Sequence, residues 1–187
     1  MLRLAVLAAL VLPLAACDND VVADEVAVAT ITSPPDTSTG VTGTVTFSQV
    51  GGVLNIALEL EGVGDRTTHG FHIHTVGDCG RGDHDGDGFA EVAGAALGHY
   101  DPDNTMDHGA PFDPVDEKHA GDLGNITVDA DGAASVTANS VQLSLSGVRP
   151  VLGRAVMLHA LPDDLETDPG GNAGDRIGCG VITPVSG

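Results

Sequence analysis

The chain has 187 residues, 42% of them hydrophobic, which suits one domain with a real core and would crowd two. Its 27 Asp and Glu against 7 Lys and Arg give a formal net charge of -20, which repels nucleic-acid phosphates and anionic lipid head groups and so argues against nucleic-acid partners and electrostatic membrane binding. Aromatic residues at 3%, 26 glycines and no tryptophan disfavour long helices and suit short strands joined by tight turns, so the expected class is all-β.

The N-terminus sets the compartment. Met1-Leu2-Arg3 is a short positive start, and Leu4 to Leu14 is an apolar run too short to span a bilayer, which reads as a secretory signal over residues 1–16. Leu14-Ala15-Ala16-Cys17 resembles a bacterial lipobox, which makes Cys17 the expected lipidation site and mature N-terminus; ordinary cleavage near Ala16 with Cys17 left as a plain thiol is the alternative. The expected location is the cell envelope or periplasm, with membrane contact through the N-terminal lipid. Setting Cys17 aside leaves Cys79 and Cys179, an even pair that reads as a disulfide in an exported chain and closes a loop of about a hundred residues.

Residues 17–25 are short and acidic and read as a tether, with a folded domain expected over 26–187. Strands are predicted at Val26–Ile31, Val41–Phe47 and Val53–Leu60, where β-branched and apolar residues alternate between the turn signals Ser33-Pro34-Pro35-Asp36 and Gly51-Gly52. Further strand-like runs are 70–76, 124–128, 133–137, 141–145, 155–159 and 178–183, enough for a sandwich or barrel. Between Cys79 and Asp122 no period persists, and a stretch that long needs a function or a tie such as a metal or a disulfide.

Histidines supply that tie. In the extended His72-Ile73-His74, both imidazoles face one side and Ile73 the other, so the two rings can reach one ion. His99, His108, His119 and Asp122 follow in the irregular region, and His159 ends a later strand. Nitrogen donors with one carboxylate suit zinc or copper better than calcium or magnesium.

Six ordered blocks then carry a family likeness: Gly70-Phe71-His72-Ile73-His74, Gly98-His99-Tyr100-Asp101-Pro102, His108-Gly109-Ala110-Pro111, His119 to Asn125, His159 followed by Asp163-Asp164-Leu165, and Gly171 to Gly180. From about Val26 to Ser186 the chain resembles copper/zinc superoxide dismutase. The resemblance implies an all-β, Greek-key, eight-stranded sandwich or flattened barrel with long metal-binding loops. It implies dismutation of superoxide to dioxygen and hydrogen peroxide by a redox-cycling copper beside a histidine-bridged zinc. Carried over by position, His72, His74, His99 and His159 resemble the copper ligands, and His99, His108, His119 and Asp122 the zinc ligands, with His99 common to both. Arg176 resembles the group that attracts and docks the anion beside the copper, and Asp163 the carboxylate that orients His72 and His108. Cys79 paired with Cys179 would pin the metal-bearing loop near Arg176.

Other polar residues are read as bland. His69 is expected to make structural hydrogen bonds, and His84 to be solvated in an insertion over residues 80–98. Asp83 to Gly88 imitates the start of a calcium loop, but its twelfth position is Gly94 where a bidentate Glu is needed. A metal carrier or buffer on the same fold is the second reading of function, against which stand the full ligand complement and Arg176. Monomer and homodimer are both compatible with the sequence.

Overall fold

The computed structural model describes residues 25–64 and 67–185, so the signal segment, Cys17 and all of the tether except Glu25 lie outside the described residues. Nine strands form in chain order: β1 (Glu25–Thr32), β2 (Thr42–Val50), β3 (Val53–Glu61), β4 (Thr68–His74), β5 (Asp122–Thr127), β6 (Ala134–Ser140), β7 (Ala155–His159), β8 (Arg176–Val181) and the two-residue β9 (Thr183–Pro184). A single 3-10 turn at Gly94–Ala96 interrupts the long irregular stretch.

The alternation in the sequence becomes one buried face. In β1, Ala27, Ala29 and Ile31 are buried while their neighbours face outward; in β3, Leu54, Ile56, Leu58 and Leu60 do the same. Each of the leucines and isoleucines among them contributes roughly 1.5–3 kcal/mol by leaving water. Antiparallel pairing runs in the order β5-β4-β7-β8-β1-β2-β3-β6, with β9 on β1. The neighbours β3·β6, β4·β7 and β8·β1 are not consecutive in sequence, which is the crossing pattern of a Greek key. β5 and β6 end the path without pairing to each other; Leu123 and Ile126 of one and Val136 of the other pack against a shared core, so the barrel is nearly closed.

β4 and β7 differ from the rest because both of their faces are buried. Ile73, Val156 and Leu158 point into the barrel, while the opposite face is covered by the long loops. That cover includes a second apolar cluster of Ala93, Ala96, Ala155, Met157 and Cys179, with Cys79 packed against it. Cys79 and Cys179 are disulfide-bonded across a sequence separation of 100. Replacing Cys179 with Ser is expected to destabilise the fold by about 4–5 kcal/mol through the freed loop entropy of the unfolded chain. Denaturant unfolding measures this, and a loss under about 1 kcal/mol would mean that the apolar cluster alone holds the loop.

One expected strand does not form. Residues 141–145 bury Leu143 and Leu145 alternately, as a strand would, yet they turn. Ser140 Oγ accepts from the backbone N–H groups of Gln142 and Leu143, and Gln49 Oε1 accepts from that of Leu145, so side chains take the donors a partner strand would need. Elsewhere the strand bounds differ by small shifts: Glu25 belongs to β1 instead of the tether, β4 ends at His74, and β8 begins at Arg176.

Candidate metal centre

Six histidines and two carboxylates gather on the loop-covered side of β4 and β7. His72 and His74 leave β4 on the same face, His159 closes the adjacent β7, and His74 bridges by backbone to His99 of the loop. Asp122 opens β5 beside His72. His108 and His119 arrive from the irregular stretch, held at its end by Asp122, whose Oδ2 accepts from the backbone N–H groups of Gly109 and His119.

The donor atoms of His72, His74, His99 and His159 all lie within 4.8 Å of one another, and those of His99, His108, His119 and Asp122 do likewise. His99 belongs to both groups. Its Nδ1 is 2.7 Å from Asp122 Oδ1, and its ring centroid is 4.0 Å from that of His72 and 5.5 Å from that of His119.

Hydrogen bonds on the far edges fix which nitrogen of each ring is free. His74 Nδ1 donates to Leu97 O at 2.7 Å and His159 Nδ1 to Gly174 O at 3.0 Å, so in the neutral rings both Nε2 atoms carry lone pairs. Those two atoms are 3.4 Å apart. Two lone pairs face each other across a gap that a cation would relieve. His72 Nε2 donates to Asp163 Oδ2 at 2.7 Å, and His108 Nε2 to Asp163 Oδ1 at 2.8 Å. When these rings are neutral their Nδ1 atoms carry the lone pairs; both atoms are buried and without hydrogen bonds, and His108 Nδ1 lies 3.1 Å from Asp122 Oδ1. Four imidazoles on one side, and three with a carboxylate on the other, are donor sets that copper and zinc accept, with His99 able to serve both only once its ring proton is lost.

Charge follows the same geometry. Burial, then neighbouring imidazoles, holds His74 and His159 well below the ordinary histidine range, and burial with the charge of His72 brings His99 to about 3. These rings stay neutral at physiological pH, as ligands must be. Burial would lower His108 as well, but Asp122 and Asp163 outweigh it and carry it up to about 9, so this ring holds a second proton until a cation displaces it. Asp122 and Asp163 lie below the usual carboxylate range: burial would raise both, and the surrounding histidines prevail.

Asp163 is itself tightly held. Asn125 donates through Nδ2 to Asp163 O and accepts from Asp163 N, each at 2.8 Å, and the Leu165 N–H donates to Oδ1. Gly171 passes over this junction at φ 61, where a Cβ would collide with Asp163 Oδ1 and His108 Nε2; only glycine fits there. Asn125 lies in the His119 to Asn125 motif, which by itself gives it no role.

Arg176 opens β8, half-buried, with Nη1 donating to Ala93 O at 2.6 Å and Nη2 to Leu97 O at 2.7 Å. It lines a cleft of about 780 Å³ together with His74, His99 and His159. His69 is buried and bonded to Thr67 Oγ1 and to His159 O, a structural role as its sequence position suggested.

Residues 41–182 match the family model described as copper/zinc superoxide dismutase. The chain belongs to the copper/zinc superoxide dismutase family. It is 38% identical over 146 residues to the superoxide dismutase [Cu-Zn] of Deinococcus radiodurans, covering 78% of this chain and 79% of that one. A solved structure, a crystal structure analysis of the clock protein EA4, superposes with a TM-score of 0.70 at 32% identity, covering 86% of this chain and 95% of the other. Copper and zinc are the metals of this family, and the two inward-turned donor sets fit them.

His84 is exposed in the insertion, as expected of it, and its Nδ1 also donates to Glu91 Oε2 at 3.0 Å, with both residues lining the cleft. The carboxylates of Asp83, Asp85, Asp87 and Glu91 also converge within 4.8 Å, which brings the ninth residue of this loop, and not the twelfth, beside its first.

Proposed function

We propose that this chain dismutates superoxide, with His72, His74, His99 and His159 holding copper and His99, His108, His119 and Asp122 holding zinc. The observation that carries the reading is the shared ring of His99, whose Nδ1 faces Asp122 while the ring also lines the cleft with His74 and His159. The chemistry a bound copper supplies is one-electron exchange with superoxide, and a bound zinc supplies fixed charge without redox.

The residues do the rest. Arg176, its guanidinium anchored on two carbonyls, is a fixed positive group that attracts the anion into the cleft and docks it. His99 Nε2, on the side away from Asp122, is the atom suited to hold and release one of the two protons that hydrogen peroxide requires. The far-edge acceptors Leu97 O, Gly174 O and Asp163 keep the ligand rings in one tautomer.

Metal content by elemental analysis, beside superoxide consumption by the copper- and zinc-loaded protein, tests the reading. Loss of superoxide no faster than that from free copper would leave the metal-carrier alternative. Because a net charge of -20 opposes an anionic substrate at long range, turnover is expected to rise or hold level as salt is added. A rate that falls steeply with ionic strength would contradict this.

The same proposal extends to the chain's location. Residues 1–16 are a lipoprotein-type signal, Cys17 is lipidated, residues 17–25 tether the domain, and the enzyme faces superoxide arising outside the cytosol. Leu14-Ala15-Ala16-Cys17 and the disulfide between Cys79 and Cys179 support it. The mass of the mature N-terminal peptide tests it, and an unmodified Cys17 would defeat it.

A further inference from the structure

The insertion between Cys79 and His99 forms part of the wall of the cleft. Gly82 and Glu91 exchange both backbone hydrogen bonds, at 2.9 and 3.2 Å, which makes residues 82–91 a small closed loop. Its base is fixed by Arg81, whose Nη2 donates to Ala90 O. Glu91 sits at the end of this loop, two residues before Ala93, the carbonyl of which anchors Arg176. His84 holds Glu91 from the opposite side, through Nδ1 at 3.0 Å and through its backbone N–H at 3.3 Å. A glutamate would ordinarily sweep a wide arc; here its carboxylate is pinned against the cleft.

We propose that Glu91, pinned by His84 on the cleft wall, sets the rate at which superoxide enters by opposing the attraction of Arg176. The inference rests on the reading of superoxide as substrate. Arg176 is the one Lys or Arg side chain among the described residues that line the cleft, so its field is the attraction available locally. Four carboxylates share that wall: Glu91, Asp101, Asp168 and Asp175. Asp101 accepts from the backbone N–H groups of Thr105 and Met106, Asp168 from that of His108, and Asp175 directly precedes Arg176; all three keep their charge, and Glu91 is the one held in place by His84. Glu91 is the carboxylate whose charge acts on the Arg176 guanidinium, against the effect of burial, and its own hydrogen bond from His84 keeps it ionised. An incoming anion therefore meets Arg176 beside a fixed negative charge.

The test uses the copper- and zinc-loaded enzyme and its Glu91→Gln variant, which keeps the shape and the acceptor for His84 while removing the charge. At low ionic strength kcat/KM for superoxide is expected to rise by about two- to five-fold, the gain shrinking toward none at high salt. Azide, an anion, and imidazole, a neutral ligand, are titrated spectroscopically in parallel. Azide affinity should rise by the same factor and imidazole affinity should stay level. Asp131→Asn, an exposed carboxylate in the turn between β5 and β6 that does not line the cleft, should change neither. Equal azide affinity in Glu91→Gln and the parent, a parallel shift for azide and imidazole, or an equal gain from Asp131→Asn would each overturn the proposal. A parent that fails to consume superoxide while its Glu91→Gln variant binds azide more tightly would defeat the assigned reaction and leave the role of Glu91 in anion entry standing.

Discussion

A His159→Ala variant is expected to lose its copper and at least about a hundred-fold in superoxide turnover, more than the loss typical of a merely supporting residue, while retaining zinc and the fold. The reason is the division of the donors. His159 contributes to the group with His72, His74 and His99 and to no other, so the His99, His108, His119 and Asp122 set stays whole. Its Nε2 points at His74 Nε2, and its Nδ1 is committed to Gly174 O, leaving no second ring edge for a different task. The fold is spared because the structural bond at this position, from His69 Nδ1, goes to the backbone carbonyl of His159 and not to its ring. Elemental analysis and a superoxide assay on the same preparation decide the matter. Full activity or full copper content in the variant would remove His159 from the site.

Asp163 is expected to matter to both metals at once. Its two oxygens accept from His72 and from His108, one ring of each donor group, and both contacts are buried. Asp163→Asn presents one carbonyl and one amide in their place, so one ring must turn its tautomer over and withdraw the lone pair it offers the metal. Affinity for copper and for zinc should fall by about 10–100-fold each. Asp163→Ala goes further, stranding two buried N–H donors at a cost of about 1–3 kcal/mol apiece. Competition against a chelator, followed separately for each metal, measures the effect. A fall confined to one metal would show that Asp163 supports that site alone.

Much of the site was legible along the chain because ligands on strands obey strand geometry. His72 and His74 share a face whenever Phe71 to His74 is extended, and the core seats of Ile73, Leu54 and Leu58 follow from the same period. Residues 141–145 carried that period too and did not form a strand, since Ser140 and Gln49 captured the donors of Gln142, Leu143 and Leu145. Periodicity reports which side chains are buried; pairing depends on who takes the backbone hydrogens.

The long stretch from Cys79 to Asp122 was legible only as a list of ligands. Ala93 and Leu97 adopt positive φ on either side of the 3-10 turn, a conformation unexpected of either residue, and their carbonyls thereby receive Arg176. Leu97 O serves His74 as well. Backbone acceptors have no signature in the sequence, because every residue carries one. Asn125 could have been singled out by its place beside Asp122-Leu123-Gly124, yet its reciprocal clamp on Asp163 needs a separation of 38 residues to be closed in space.

Residue types and the alternation of β4 were sufficient to point to the all-β class and a histidine-rich site suited to zinc or copper, because metal preference and strand facing are local properties of side chains, and the likeness of the ordered motifs to the family supplied the two donor sets and their chemistry. Tertiary structure decided which nitrogen of each ring is free, how Arg176 is anchored, and that His84 and Glu91 stand in the wall of the cleft. Those outcomes depend on hydrogen bonds between segments tens of residues apart, and only the closed fold brings the partners within reach.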